Sequence, residues 1–230
     1  MAIHLITGAG SGIGAAVAGR LAQRGDELVL IARNPMRAAE LVRAFPGSRA
    51  LVADLASRSL ESALAALDWV PPRLDSVINV AGTTELESVA DLTADSFLET
   101  LTTNLLSPVV LTRWALPALR EARGAVVFVN STAALTVNPG WAAYAAAKAG
   151  LRAIADALRA EEATHGVRVT SVFPSRTATP LQEHVRQQEA GTYDPSRYMN
   201  PATVAAQIVN ALDLPGDAVV AEIVLRPAQR

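Results

Sequence analysis

Tyr144 and Lys148 stand four residues apart in Tyr-Ala-Ala-Ala-Lys, a spacing that puts both side chains on one face of a helix. Tyrosine titrates at about 10 in a model peptide, too high for ready proton transfer at neutral pH. A neighbouring ammonium favours the phenolate and would lower that value, so the pair has the makings of a tuned acid and base. Such a pair also occurs by chance, and alone it reads as an exposed helix face. Two further groups add weight. Ser131 follows an apolar run at 125–130 that reads as a strand, and its hydroxyl could hold a substrate oxygen beside Tyr144; the plainer alternative is a turn or cap. Asn104 lies in a long helical stretch, where its amide could bind a backbone group or a water near Lys148, or satisfy a helix irregularity near Pro108.

A second cluster is Thr7-Gly8-Ala9-Gly10-Ser11-Gly12-Ile13-Gly14, which ends one apolar run and opens a helical pattern. Glycine removes side chains, so a pyrophosphate can approach the backbone, and the helix that follows offers free N–H groups and the positive end of its dipole. A tight strand-to-helix turn without a ligand is the alternative. The next strand tests which cofactor would bind. A dinucleotide without a 2′-phosphate is met there by Asp or Glu, yet the sequence reads Leu30-Ile31-Ala32-Arg33-Asn34. A guanidinium can clamp a 2′-phosphate, which favours NADP(H) over NAD(H), unless Arg33 is only an exposed loop charge.

These groups need a scaffold. Short apolar runs at 3–7, 27–32, 50–53, 76–79, 125–130, 168–173 and 218–225 predict seven strands. Several are apolar on both parities, as parallel strands covered on both faces are. Helical patterns at 12–24, 35–45, 57–67, 93–119 and 141–165 alternate with them. Pro108 and Pro117 predict a kink or frayed end in the fourth of these. The alternation predicts an α/β fold, a Rossmann-type doubly wound seven-stranded parallel sheet with helices on both faces. No linker divides the chain, so a single domain over 1–230 is expected. The irregular segment up to Asn200, with a polar helix candidate at 182–190, is expected to be a substrate-side lid over 175–200.

The composition narrows the class. The chain has 230 residues, half of them hydrophobic, and a net charge of -2, which argues against disorder and against a nucleic-acid binder with a basic face. It has no cysteine, which excludes thiolate chemistry, and His4, His165 and His184 are too scattered to suggest a metal site. No secretion signal and no run of membrane-spanning length is apparent, so the expectation is a cytoplasmic protein with no membrane or nucleic-acid partner.

Taken together, these motifs resemble the classical short-chain dehydrogenase/reductase family, nearly end to end. Residues 7–14 are similar to its glycine turn, Asp54 before Leu55 to its adenine-contacting aspartate, and Asn79-Val80-Ala81-Gly82 to its Asn-Asn-Ala-Gly segment. Asn104, Ser131, Tyr144 and Lys148 follow the order of its catalytic tetrad. The stretch from Pro174 through Thr177 to Thr179 resembles its Pro-Gly turn and following threonine, by the nicotinamide. The resemblance implies an NADP(H)-dependent reduction of a ketone or aldehyde, or the reverse. Tyr144 would give the proton, Lys148 would lower its pKa and hold ribose hydroxyls, Ser131 would orient the carbonyl, and Asn104 would hold a water. The cofactor would lie on Gly8, Ser11, Gly12, Ile13, Gly14, Arg33, Asp54, Leu55, Asn79, Ala81, Gly82, Tyr144, Lys148, Pro174, Thr177 and Thr179. Val80 and Ser175 depart from the family pattern, without removing a tetrad group. A silent NADP-binding sensor or scaffold would have no need of the tetrad, and an epimerase or dehydratase of this type tends to be longer. The expected pocket wall is Ala133, Leu135, Asn138, Trp141, Leu181, His184 and Tyr198, mostly apolar, for a small neutral carbonyl or alcohol substrate. A homodimer or homotetramer through the long helices is also implied.

Overall fold

A computed structural model describes residues 1–228; Gln229 and Arg230, within the expected domain over 1–230, lie outside the described residues. The strands are β1 (Ile3–Ile6), β2 (Glu27–Ala32), β3 (Arg49–Val52), β4 (Ser76–Asn79), β5 (Ala125–Val129), β6 (Arg168–Pro174) and β7 (Glu222–Leu225). The helices are α1 (Gly12–Gln23), α2 (Pro35–Ala44), α3 (Leu60–Ala65), α4 (Ala94–Leu101), α5 (Ser107–Ala122), α6 (Ala142–Glu162), α7 (Pro180–Gln188) and α8 (Pro201–Leu212). All strand pairs are parallel, in the order β3-β2-β1-β4-β5-β6-β7. This is the doubly wound, Rossmann-type sheet, and the winding reverses between β1 and β4. Ligands bind at such a reversal, beyond the carboxyl ends of the strands.

Strand alternation divides the core in two. Leu5, Val29, Val77, Val126 and Phe128 pack with Leu111 and Leu119 of α5 and Leu151 of α6. Their neighbours Ile6, Leu30, Ile78 and Val127 pack with Val17 and Leu21 of α1 and Val204 and Ile208 of α8. The strands are therefore apolar on both parities because both faces are covered.

The 93–119 helix breaks, as its prolines predict, and several other elements differ from the sequence expectation. The long helix over 93–119 breaks at Thr102–Leu106 into a π-helical turn, where Ser107 N–H reaches back to Thr102 O. The break falls ahead of Pro108, which sits in the first turn of α5 where its missing N–H costs little, while Pro117 is carried within α5. The last strand is shorter than 218–225: its ladder pairs Glu222–Leu225 with Ser171–Pro174. Helix α8 is not anticipated by the strand pattern; Asn200 caps it through Ala202 N–H at 2.8 Å and Pro201 opens it. Within 175–200, Thr179 caps α7 and Pro180 starts it, two residues before the expected helix. No helix among the described residues is long and apolar enough to cross a membrane.

Candidate active site

The glycine turn leaves β1 and is locked to β4 by Thr7, whose Oγ1 accepts from the N–H groups of Val80 (2.9 Å) and Ala81 (3.0 Å). Val80 thus contributes a backbone donor where the family has a second Asn side chain. Gly8 and Gly12 have positive φ, 70° and 53°, the left-handed region that favours glycine. Gly14 faces the turn itself: a Cβ there would lie 2.2 Å from Gly8 O. Helix α1 then begins. Its N-cap, Ser11, makes no side-chain cap bond, and no acid sits in its first turn, whereas Asn34, Thr93, Thr179 and Asn200 cap α2, α4, α7 and α8. The first-turn N–H groups of α1 are left for an anion, and the bare glycine backbone suits a pyrophosphate.

Two cavities meet over this turn. The inner one, about 370 Å³, is bordered by Gly8, Ser11, Gly12 and Ile13, by Ala81 and Gly82, by residues 129–133, by Trp141, Tyr144 and Lys148, and by residues 174–177 and 179–182. The outer cleft shares Gly8, Ser11, Ala81 and Gly82 and extends past Arg33, Arg37, Asp54 and Leu55. Arg37, which the sequence reading passes over, donates from Nη2 to Gly10 O at 3.2 Å. A Cβ on Gly10 would lie 1.9 Å from that nitrogen, so glycine is what lets the guanidinium lie across the turn. Its sequence signal is its position four residues after Arg33, in the first turn of α2. Asp54 accepts from Ala56 N–H at 3.0 Å.

Asn79, expected among the cofactor contacts, turns the other way. Its Nδ2 donates to Thr112 Oγ1 of α5 at 3.1 Å, because strand alternation gives the cavity side to Val80. Ser175 keeps a negative φ, since Arg123 and Ala190 are the non-glycine residues with positive φ; the turn there does not demand the family's glycine. Thr177 Oγ1 donates to Ser175 O at 2.9 Å and stiffens it. Of the expected wall, Ala133, Asn138, Trp141 and Leu181 border the inner cavity. Leu135, His184 and Tyr198 are not among its lining residues: His184 pairs with Glu85 at 2.8 Å, and Tyr198 stacks on Tyr193 at 5.7 Å.

Asn104, Ser131, Tyr144 and Lys148 are brought together. Ser131 sits just past β5, with its Oγ accepting from Ala133 N–H at 3.1 Å. Tyr144 is held edge-on by Trp141 at 5.7 Å and 72°. Burial pushes its phenol up to about 12, and the Ser131 hydroxyl works against that rise. Desolvation dominates the Tyr144 phenol, and Lys148 is not among the causes of its shift. Lys148 is itself buried, which pushes its ammonium down to about 8; Nζ donates to Val129 O at 2.9 Å and lies 5.7 Å from the Tyr144 ring centre. Asn104, fully buried in the π turn, spends its amide on backbone. Nδ2 donates to Thr83 O and Thr100 O, both at 2.9 Å, and Oδ1 accepts from Thr83 N–H at 3.2 Å. A Cβ on Gly82 would lie 2.7 Å from Asn104 Oδ1 and 3.8 Å from Lys148 Nζ, so Gly82 is the gap through which these groups approach.

A reversed-winding parallel sheet, an anion-ready glycine turn and a buried Tyr-Lys pair beside a serine define a dinucleotide-dependent oxidoreductase site. The chain belongs to the short-chain dehydrogenase family, whose model matches residues 2–190. It is 33% identical over 204 residues to human (3R)-3-hydroxyacyl-CoA dehydrogenase, covering 81% of this chain and 77% of that one. It is 29% identical over 225 residues to L-fucose dehydrogenase of Bos taurus, covering 97% and 82%. An alcohol dehydrogenase from Thermococcus sibiricus, solved with 5-hydroxy-NADP, superposes with a TM-score of 0.83 at 25% identity, covering all of both chains.

Proposed function

We propose that this chain is an NADP(H)-dependent oxidoreductase that reduces a ketone or aldehyde to an alcohol, or runs the reverse, with Tyr144 as proton donor. The observation that carries the reading is the shared burial of Tyr144 and Lys148 beside Ser131, in a cavity continuous with the glycine turn. A bound nicotinamide supplies or accepts the hydride. Ser131 orients the carbonyl oxygen. Tyr144, kept neutral by its burial, gives its proton to that oxygen as negative charge develops there. Lys148, with a pKa of about 8, is mainly an ammonium at neutral pH and can return a proton to Tyr144. Lys148 would also hold ribose hydroxyls. Asn104, whose side chain fixes the loop at Thr83, would hold the water that links Lys148 to solvent.

Arg33 and Arg37 in the outer cleft favour the 2′-phosphate of NADP(H), and the uncapped start of α1 suits the pyrophosphate. In the same reading residues 1–230 act as one domain, 175–200 as a substrate-side lid, and the protein as a homodimer or homotetramer. The half-exposed Leu98, Leu106 and Ile154 on α4, the π turn and α6 support an apolar contact between copies. A silent NADP-binding sensor would gain nothing from an ammonium buried against its own tyrosine, since that burial is destabilising. The test is NADPH consumption over a panel of aldehydes and ketones. Turnover with at least one class, faster than with NADH, is expected. Tight NADPH binding with no turnover across the panel would favour the sensor.

A further inference from the structure

The outer cleft carries a carboxylate that a binding site for a phosphate has no obvious use for. Its charged lining residues are Arg33, Arg37, Glu40 and Asp54. Asp54 is engaged at the far end, on Ala56 N–H. Glu40 is engaged on a guanidinium: Arg37 donates from Nη1 to Glu40 Oε2 at 2.5 Å.

The position of Arg37 is set from both ends. Its N–H donates to Asn34 Oδ1 at 2.8 Å, which fixes its backbone in the first turn of α2. Its side chain then crosses back to the glycine turn, where Nη2 donates to Gly10 O at 3.2 Å. The whole guanidinium lies on Gly10, since a Cβ there would be 1.9 Å from Nη2, 2.7 Å from Cζ and 3.1 Å from Nε. A pyrophosphate sits on such a turn and its ribose lies toward the end of the second strand. Arg37 spans these two places, and Glu40, three residues on along α2, holds its other end. A guanidinium carries five N–H donors, so the bonds to Gly10 and Glu40 do not exhaust it. Arg37 and Glu40 are each 40% exposed at the side chain, and a pair so exposed adds little to stability. What the pair does set is how much of the Arg37 charge the cleft offers to an anion.

We propose that Glu40 is a specificity-determining residue of the cofactor site: it competes with the 2′-phosphate of NADP(H) for Arg37, and so sets how strongly NADP(H) is preferred over NAD(H). NAD(H), with a hydroxyl in place of that phosphate, makes no such claim on the guanidinium, and its binding is indifferent to Glu40. The inference deepens the NADP(H) reading above and rests on it for the placement of the 2′-phosphate.

The test is fluorescence titration of NADPH and of NADH into the wild type, Glu40→Gln, Arg37→Ala and the double variant. Glutamine removes the charge and keeps an oxygen that can accept from Arg37 Nη1. Glu40→Gln should tighten NADPH about threefold, the size of an exposed ion pair, and change NADH less than about 1.5-fold. Glu40→Ala should act in the same direction and serves if the glutamine variant fails to fold. In the Arg37→Ala background the same change should move NADPH less than about 1.5-fold, because nothing then holds the carboxylate in the cleft. Unchanged or weaker NADPH binding in Glu40→Gln overturns the proposal, as do equal gains for both nucleotides or a gain that persists in full without Arg37. A wild type that binds both nucleotides equally, with NADPH still tightened selectively by Glu40→Gln through Arg37, would support the proposal and overturn the NADP(H) preference alone.

Discussion

Replacing Lys148 by methionine should change how stability depends on pH, and the structure sets the size of the change. Lys148 is 3% exposed, and burial pushes its ammonium from 10.5 down to about 8. Between those values the folded chain binds fewer protons than the unfolded chain, so stability rises with pH across the window. Below about pH 8 the folded state carries the full cost of the buried ammonium; above 10.5 it carries none. The displacement corresponds to about 3 kcal/mol. Methionine removes the charge at similar volume but strands the buried Val129 O, which now accepts from Nζ at 2.9 Å, at a cost of about 1–3 kcal/mol. At pH 7 the variant should therefore match or exceed the wild type. By pH 10.5 it should be the less stable, with the difference between the two proteins moving by about 3 kcal/mol. Urea unfolding of both proteins from pH 7 upward measures this difference, and groups common to both cancel. Parallel curves across the window would refute the reasoning, because they would mean that the ammonium is solvated in the folded chain.

Other expectations follow from the same geometry. Arg33→Ala and Arg37→Ala should each weaken NADPH binding about tenfold while changing NADH binding less than about twofold; fluorescence titration decides, and equal losses would remove the 2′-phosphate assignment. Gly82→Ala forces a Cβ to within 2.7 Å of Asn104 Oδ1, so kcat/KM should fall about a hundredfold with the circular dichroism spectrum unchanged; near-normal turnover would show that Asn104 and Lys148 need no such approach. Burial, opposed by Asp26, holds the His4 imidazole below its usual 6.5. The folded chain then binds fewer protons than the unfolded one below about pH 6.5, so stability falls as pH drops through that region. His4→Asn should flatten that part of a thermal-denaturation profile, and an unchanged slope would contradict it.

The elements that hold the tetrad are written locally, and for that reason they could be read from the sequence. Val126 and Val127 point to opposite cores, so β5 is apolar at every position. Gly166, at φ 73°, ends the helical run that carries Tyr144 and Lys148. Other features are tertiary. Pro108 signals a break in the long helix, but the bonds from Asn104 to Thr83 that accompany the π turn are tertiary. The pKa of Tyr144 depends on how completely the fold buries it, which spacing from Lys148 does not reveal. Gln182 is one polar residue among several in a polar helix until the fold buries it. Helix α8 is a different case: Asn200-Pro201 and the spacing of Val204, Ala205, Ile208 and Val209 carried a legible signal, one obscured by the short apolar runs around it.

The central claim is that Tyr144 supplies the proton. Tyr144→Phe removes only the hydroxyl from a ring that Trp141 holds edge-on, so NADPH should bind within about threefold of wild type while kcat for carbonyl reduction falls by at least about a thousandfold. Retention of more than about a tenth of the wild-type kcat, with NADPH bound normally, would contradict the account.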